Sequence, residues 1–385
     1  MPDDTGQVIF EALNALYGDC ILIHYPQRDG AGGQRRLTWM IDGGPPEAYG
    51  LTLRARLEQM AQPGGPTRLR LAVVTHIDAD HIAGLGRLVG ALRAAPRPPG
   101  TPDIAFADFW FNGFSQTFGA PAPAALAAGD VALAATDPAL HGLSEAFVQS
   151  VGDGVRLLED LANLTPPPNI NHAFANRVAG ASDAQNMIPM GSDPPVTIEM
   201  LGPSQKQLDA LRKAWARDRG LDPAQLAAAR VPKVDTSTAN RSSIVFLARF
   251  GDVKFLLTGD ARARDIVKVW TARHGAAPFP IDVMKVPHHG AEGNNSLAMF
   301  QLFPADHYVF CADGSSSGNP DIWTLERLIE ARRDASFHIH LTCPDTAPDM
   351  GSQAAFLARA AQDSGGRITL HWRDPQSDGI RITLP

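Results

Sequence analysis

Cysteine is scarce in this chain and badly placed for cross-linking, since Cys20, Cys311 and Cys343 lie far apart with no CxxC spacing. That pattern excludes a disulfide framework and a thiolate zinc knuckle. Long apolar runs are missing too. None reaches the ~18 residues that a membrane-spanning helix needs, so no membrane partner is expected. Positive charge is not in excess: 34 Lys plus Arg against 41 Asp plus Glu leave −7. This excludes an overall field that would draw the chain to nucleic acid or an anionic bilayer, while a local basic groove stays open. The modest basic stretches "RDGAGGQRR" and "ALRAAPRPP" read as solvated surface. The opening "MPDDTGQVIF" has no basic segment ahead of an apolar core, so it does not read as a secretion signal, and the cytoplasm is the expected location.

What is present is a globular composition, 385 residues with 44% apolar side chains, enough for one large domain with a real core. "QVIFEALNALYGDCILIHY" and "RRLTWMIDGG" read as short strands, the second ending at Asp42 in a tight glycine turn. "LRLAVVTH" is a further buried strand, and "SSIVFLARFGDVKFLLTGD" reads as a hairpin turning at "FGD". The tail alternates strands ("IDVMKVPHH", "ADHYVFCAD", "FHIHLT", "RITLHW") with the helix "IWTLERLIEARR". Between Ser115 and Lys233 the texture changes to Ala and Pro with helical stretches such as "SQKQLDALRKAWARD". The expectation is a single layered α/β domain over 1–385, with a largely helical insertion at 115–233 that carries none of the ligand clusters and shapes a cleft.

The chemistry concentrates where strands end. "VVTHIDADHIAGL" packs His76, Asp78, Asp80 and His81 into six residues after an apolar run. His76 and Asp78 alternate by two and can point the same way, whereas Asp80 and His81 fall in the next turn and can serve a neighbouring position. Imidazole with carboxylate suits zinc, manganese or iron. An aspartate capping the "IAGL" helix would account for one of the four, not for all. "KFLLTGDA" ends a strand on Asp260, where a carboxylate could bridge two cations, and "MKVPHHG" sets His288 and His289 before a glycine.

The ordered set "IDGG", "THIDADHIAGL", "NRSSIVFLARFGDVKFLLTGD" and "MKVPHHG" resembles the metallo-β-lactamase superfamily, and within it the hydrolase domain of competence DNA-uptake channels and its soluble relatives. The resemblance spans residues 7–120 and 233–345. It implies a four-layer αββα sandwich with two divalent ions, zinc or manganese, along one edge. It further implies His76 and Asp78 on one metal, Asp80 and His81 on the other, Asp260 between them, and His288 or His289 as the closing ligand. His288 is taken as the ligand, with Asp80, His289 and Lys285 in catalytic roles and Asp42 steadying the histidine loop. Asp78 stands where the superfamily more often has histidine, a shift toward oxygen that favours manganese beside zinc. The histidine that many relatives place between the opening motif and the bridging aspartate has only His141 and His172 to represent it.

These residues point to a metal-dependent hydrolase in which the ions activate water, acting as a phosphodiesterase or nuclease on nucleic acid or a small phosphodiester. Two other classes remain: a hydrolase of a small ester, lactone or phosphocholine-type substrate, and a non-catalytic metal-binding partner protein. Asn240, Ser242, Ser243 and the "DGSSSGNP" loop with Asn319 are candidates for the rim of the site.

Overall fold

The structure, a computed structural model, describes residues 6–28, 33–61, 65–118, 122–136, 145–175, 177–181, 187–209 and 240–385. Fifteen strands among these residues form two sheets. The first has the order β15-β1-β2-β3-β4-β5-β6 and contains β1 (Val8–Leu13), β2 (Ile21–Arg28), β3 (Gln34–Ile41), β4 (Thr67–Val74), β5 (Ile104–Phe111), β6 (Asn169–Ile170) and β15 (Gly379–Leu384). The second has the order β14-β13-β12-β11-β10-β9-β8-β7. It contains β7 (Met187–Ser192), β8 (Pro195–Gly202), β9 (Val245–Phe250), β10 (Val253–Leu257), β11 (Ile281–Lys285), β12 (Ala305–Phe310), β13 (Phe337–Leu341) and β14 (Ile368–Trp372).

The period-2 patterning of these strands sorts their side chains into three stacked apolar layers. Phe10, Trp39, Leu71 and Val73 of the first sheet face Ile198, Phe246, Phe255 and Val283 of the second. Phe10 meets Phe255 edge to face, with ring centroids 5.5 Å apart. Outside the first sheet, Leu85, Leu88 and Val89 of the helix Ala79–Arg93 and Val151 and Leu157 of the helix Glu145–Ala162 cover Met40, Leu69 and Ala72. Outside the second, Trp270, Phe300, Leu325 and Leu357 cover Leu256, Met284 and Tyr308. The result is the four-layer αββα sandwich. Strand β4 serves two layers through a bulge: Thr38 pairs with Leu69 but Trp39 with Leu71. The extra residue, Arg70, shifts the phase, so Leu69 joins the outer core and Leu71 the inner one.

Each sheet changes from antiparallel to parallel pairing once, at β3/β4 in the first and at β10/β11 in the second. Ligands in open α/β sheets collect beyond the carboxyl ends of strands at such changes of direction. Asp42, His76, Asp260 and the His288–His289 pair follow the carboxyl ends of these four strands.

The described part of the interval 115–233 holds strands as well as helices. Helices cover Phe114–Phe118, Ala124–Ala128, Val131–Thr136 and Glu145–Ala162, and β8 then pairs with β9 and β7 with β8, which extends the second sheet. Prolines 189, 194 and 195 around these strands hide their β-pattern. Residues 210–233, with most of the "SQKQLDALRKAWARD" stretch, lie outside the described residues.

The helix Ala79–Arg93 sits unusually close to the turn after β3. Gly43 N–H donates to His81 O at 2.7 Å and Gly84 N–H to Gly44 O at 2.8 Å. A Cβ on Gly84 would stand 1.9 Å from the Gly43 carbonyl oxygen, whereas one on Gly86 would meet nothing within 4 Å. Two glycines of one helix therefore have opposite roles. Gly84→Ala is expected to destabilise by about 1–3 kcal/mol or more, and Gly86→Ala to stabilise by roughly 0.5–1 kcal/mol. Urea unfolding of both variants checks the pair of signs; equal effects would refute this packing.

Candidate metal centre

The centre is assembled at the edge where the two sheets meet. On the first sheet, Asp42 accepts from the backbone N–H and the hydroxyl of Thr75, both at 2.7 Å, and from His81 Nδ1 at 2.9 Å. This fixes the loop after β4 and the tautomer of His81 together. Asp78 occupies the N-cap position of the helix Ala79–Arg93, yet its carboxylate makes no capping hydrogen bond. Its Oδ2 lies 3.5 Å from His76 Nε2 instead. A capping role does not account for this residue.

On the second sheet, Gly259 takes φ +49°, and a Cβ there would press on the Thr75 side chain at 3.0 Å. The turn brings Asp260 under the histidines, with its N–H donating to Ser243 Oγ at 3.3 Å. After β11 the chain runs through three consecutive left-handed residues, His288 (φ 48°), His289 (φ 55°) and Gly290 (φ 91°). Left-handed backbone is costly for residues other than glycine and persists where the surroundings impose it. Asn295 Nδ2 does so here by donating to Pro287 O at 2.9 Å and Ala291 O at 2.8 Å. The turn sends the two imidazoles in different directions. His289 is buried, and its Nδ1 donates to the Cys311 carbonyl at 2.8 Å. His288, with 29% of its side chain exposed, borders the cleft.

Four groups then converge: ligand atoms of Asp80, His81, Asp260 and His289 all lie within 4.8 Å of one another. His81 Nε2 is 3.3 Å from Asp260 Oδ1, and His289 Nε2 is 3.2 Å from Asp80 Oδ2 and 3.5 Å from Asp260 Oδ2. Asp260 Oδ2 also faces His288 Nε2 at 3.4 Å and His76 Nε2 at 3.9 Å. One carboxylate thus stands between two sets of donors.

The donor set fits divalent cations. His81 Nε2, His289 Nε2 and Asp260 Oδ1 are buried and make no hydrogen bond. Such atoms are costly unless something else coordinates them. Both imidazoles have their Nδ1 committed elsewhere, which turns the Nε2 lone pairs inward. The electrostatics agree. Burial alone would lower the pKa of His81, but Asp260, Asp80, Asp42 and Asp19 outweigh it and hold the imidazole well above its ordinary value. His289 is raised in the same way, mainly by Asp260 and Asp19. Burial would raise Asp260, yet His81, His289 and His288 hold it well below the usual carboxylate range. Protons on these rings neutralise carboxylates that a cation would otherwise neutralise.

The structure therefore gathers His76, Asp78, Asp80, His81, Asp260 and His289 at one edge, with His288 beside Asp260. His289, expected in a catalytic role, is the member of the pair inside the four-residue cluster. Lys285 is 1% exposed, and its Nζ lies 2.5 Å from Asp19 Oδ2, 3.1 Å from Gly259 O and 3.6 Å from Asp260 Oδ1. It is a buried counter-charge, with burial opposed and outweighed by Asp19 and Asp260 so that its pKa is raised. His172 is exposed in a short turn and belongs to neither ligand group found among the described residues. His141 lies outside the described residues.

Asp19 was not foreseen. It is buried, lies 3.3 Å from His289 Nδ1 and 3.7 Å from His81 Nδ1, and its N–H donates to Asp80 O at 3.1 Å. Its signal is the glycine of "YGDC": a Cβ on Gly18 would stand 2.1 Å from Asp80 O, so this turn must approach the site bare. Above the cluster opens a cleft of about 310 Å³, walled by Tyr17, Asp80, His288, Ser316 and Ser317, and by Gln149, Ser150 and Asp153 from the interval 115–233. A larger hollow of about 440 Å³ between the helices Ile322–Ala331 and Gly351–Asp363 carries no comparable donor set, so size alone does not locate the chemistry.

Fold and site together define a four-layer αββα sandwich with a cluster at one edge suited to divalent metal. Residues 32–174 match the family model of the metallo-beta-lactamase superfamily. No curated protein matches the chain. Among solved structures, a mutant of the CmlA beta-hydroxylase is similar at 13% identity and a TM-score of 0.36, over 98% of this chain and 53% of that one. The chain thus spans about half the length of that protein, and the likeness is too distant to carry any property across. No helix among the described residues is long and apolar enough to cross a membrane.

Because Asp42 orients His81 without reaching the cluster itself, Asp42→Ala is expected to weaken zinc binding by about 10–100-fold. Competition against a chromophoric chelator measures this, and an unchanged affinity would remove Asp42 from the centre.

Proposed function

We propose that this protein is a metal-dependent hydrolase acting on a phosphodiester, with two divalent ions side by side. The observation that carries the reading is the convergence of Asp80, His81, Asp260 and His289, with unpartnered inward nitrogens, at the floor of a cleft. One ion would be held by Asp80, His81 and His289, the other by His76, Asp78 and His288, with Asp260 between them. Divalent cations bound there supply Lewis acidity, activating water and neutralising charge that develops on substrate oxygens.

The chain's own residues supply the rest. Asp80, with a quarter of its side chain exposed, faces the cleft and orients the attacking water. His288 borders the cleft beside Asp260 and would complete the second ion's ligand set. Lys285 and Asp19 hold Asp260 and His289 in place from beneath. Tyr17, Ser316 and Ser317 offer hydroxyls to the substrate.

A phosphodiester is favoured by the oxygen-rich donor set, in which Asp78 stands where an imidazole is more usual, and by a motif order that resembles the competence-type branch. A bridged cation pair suits a transition state whose charge spreads over phosphoryl oxygens. The second reading, a small ester, lactone or phosphocholine-type substrate, is supported by the cleft itself. It is near the lower end of ligand-site volumes, and no lysine or arginine lines it among the described residues. A nuclease reading needs basic groups elsewhere to track a polyanion.

His76→Ala and Asp260→Asn are expected to lose bound metal and to lower hydrolysis at least about 100-fold, since ligands matter no less than the groups that orient them. Metal content measured alongside turnover decides this; metal-free protein with unimpaired hydrolysis would end the proposal. A bis-aryl phosphodiester should be cleaved faster than a β-lactam, with manganese supporting turnover at least as well as zinc. Steady-state rates with each metal on both substrates test the second point, and a clear β-lactamase would overturn it.

A further inference from the structure

The ion pair of Asp19 with Lys285 explains only half of that carboxylate. Its Oδ2 meets the Lys285 ammonium at 2.5 Å, a role that one oxygen fills. The other oxygen, Oδ1, is buried and makes no hydrogen bond, yet it lies 3.3 Å from His289 Nδ1. Oδ2 is also 3.7 Å from His81 Nδ1. One carboxylate, 1% exposed, thus stands behind two imidazoles whose Nε2 atoms face the cluster. The turn between β1 and β2 fixes its place: Leu13 N–H donates to Cys20 O at 2.8 Å and Asp19 N–H to Asp80 O at 3.1 Å.

The four histidines around Asp260 are not backed alike. His81 Nδ1 has the Asp42 carboxylate at 2.9 Å with Asp19 beyond it, and His289 Nδ1 has the Cys311 carbonyl at 2.8 Å with Asp19 beside it. His76 Nδ1 meets the neutral Thr75 hydroxyl at 3.1 Å, and that hydroxyl already donates its hydrogen to Asp42. His288 Nδ1 is buried and makes no hydrogen bond. A carboxylate behind the ring raises the basicity of the opposite nitrogen and fixes the ring's direction. A neutral hydroxyl does this weakly, and a nitrogen without a partner gains nothing. The imidazoles assigned to the two ions therefore differ in donor strength, although all four face the same bridging carboxylate.

We propose that Asp19 is a positioning residue that makes the two ions unequal. The ion held by Asp80, His81 and His289 binds first and more tightly, and the ion held by His76, Asp78 and His288 follows more weakly. This inference rests on the two-ion reading above. Lys285 anchors Asp19 without cancelling the asymmetry, because the ammonium also reaches Asp260 at 3.6 Å, the carboxylate common to both ions. The bare approach of Gly18 to Asp80 O serves the same end, since it carries Asp19 to the rear of the tighter ion's ligands and no closer to His76 or His288 than the cluster itself allows.

Competition of the zinc-loaded full chain against a chromophoric chelator should resolve two affinities. His289→Gln should remove the tighter one and His288→Gln the weaker. Asp19→Asn should lower the tighter affinity about 10–100-fold and leave the weaker nearly unchanged, so that their ratio narrows. A residue that only held its turn together would lower both affinities alike. With cobalt in place of zinc, the absorption of the first equivalent bound should change in Asp19→Asn and that of the second should not. If Asp19→Asn fails to fold with Lys285 left unpaired, Asp19→Asn with Lys285→Met removes both charges together and should narrow the ratio at least about tenfold. A native chain that binds fewer than two zinc ions would overturn the two-ion reading and this inference with it. Two ions of equal affinity, or a ratio that the Asp19 substitution leaves unchanged, would overturn the role of Asp19 alone.

Discussion

Five carboxylates, Asp19, Asp42, Asp78, Asp80 and Asp260, crowd one edge of the sandwich, and their mutual repulsion is the constraint that the surrounding structure answers. Two like charges 4 Å apart cost about 4 kcal/mol at an effective dielectric near 20. Asp42 is relieved by three donors at once. Asp19 takes the buried Lys285 ammonium. Asp260 cannot be relieved by one side chain, because imidazoles approach it from His76, His81, His288 and His289 together. A divalent cation is the economical counter-charge for such a group, and closing this edge of the sandwich is then linked to binding it.

The edge is also where the sheets are tied. Ile244 N–H, just ahead of β9, donates to Thr75 O at the end of β4, while Gly259 packs bare against the Thr75 side chain. Thr75 therefore touches Asp42, His76 and the second sheet within one residue. The Gly43 and Gly84 crossing fixes the helix that carries Asp80 and His81. Ligands placed on strand ends and a tightly packed helix turn keep their directions better than ligands on long loops.

Much of this was legible because the ligands follow apolar runs directly: a strand ending in His or Asp declares both its position and its chemistry. What stayed hidden has physical reasons. Asp19 is one acid in a turn, like many others, and only the bare approach of Gly18 to Asp80 O marks it. The Cys311 carbonyl that orients His289 is backbone, which no side-chain pattern encodes. Adjacent histidines look alike in sequence; the left-handed turn through His288 and His289 decides which faces the cluster. β7 and β8 were masked by their prolines. The strands that carry His307, His338, His340 and His371 were readable one by one, but the register that sets these side chains next to one another is a tertiary property.

Strand β12 reaches this edge from the second sheet. The residue after its last, Cys311, lends its carbonyl to His289. The strand pairs on both sides, with β11 and β13. The carbonyl that aims His289 therefore stands at the end of a doubly paired strand rather than in a long loop, and backbone does for His289 on the second sheet what the Asp42 carboxylate does for His81 on the first.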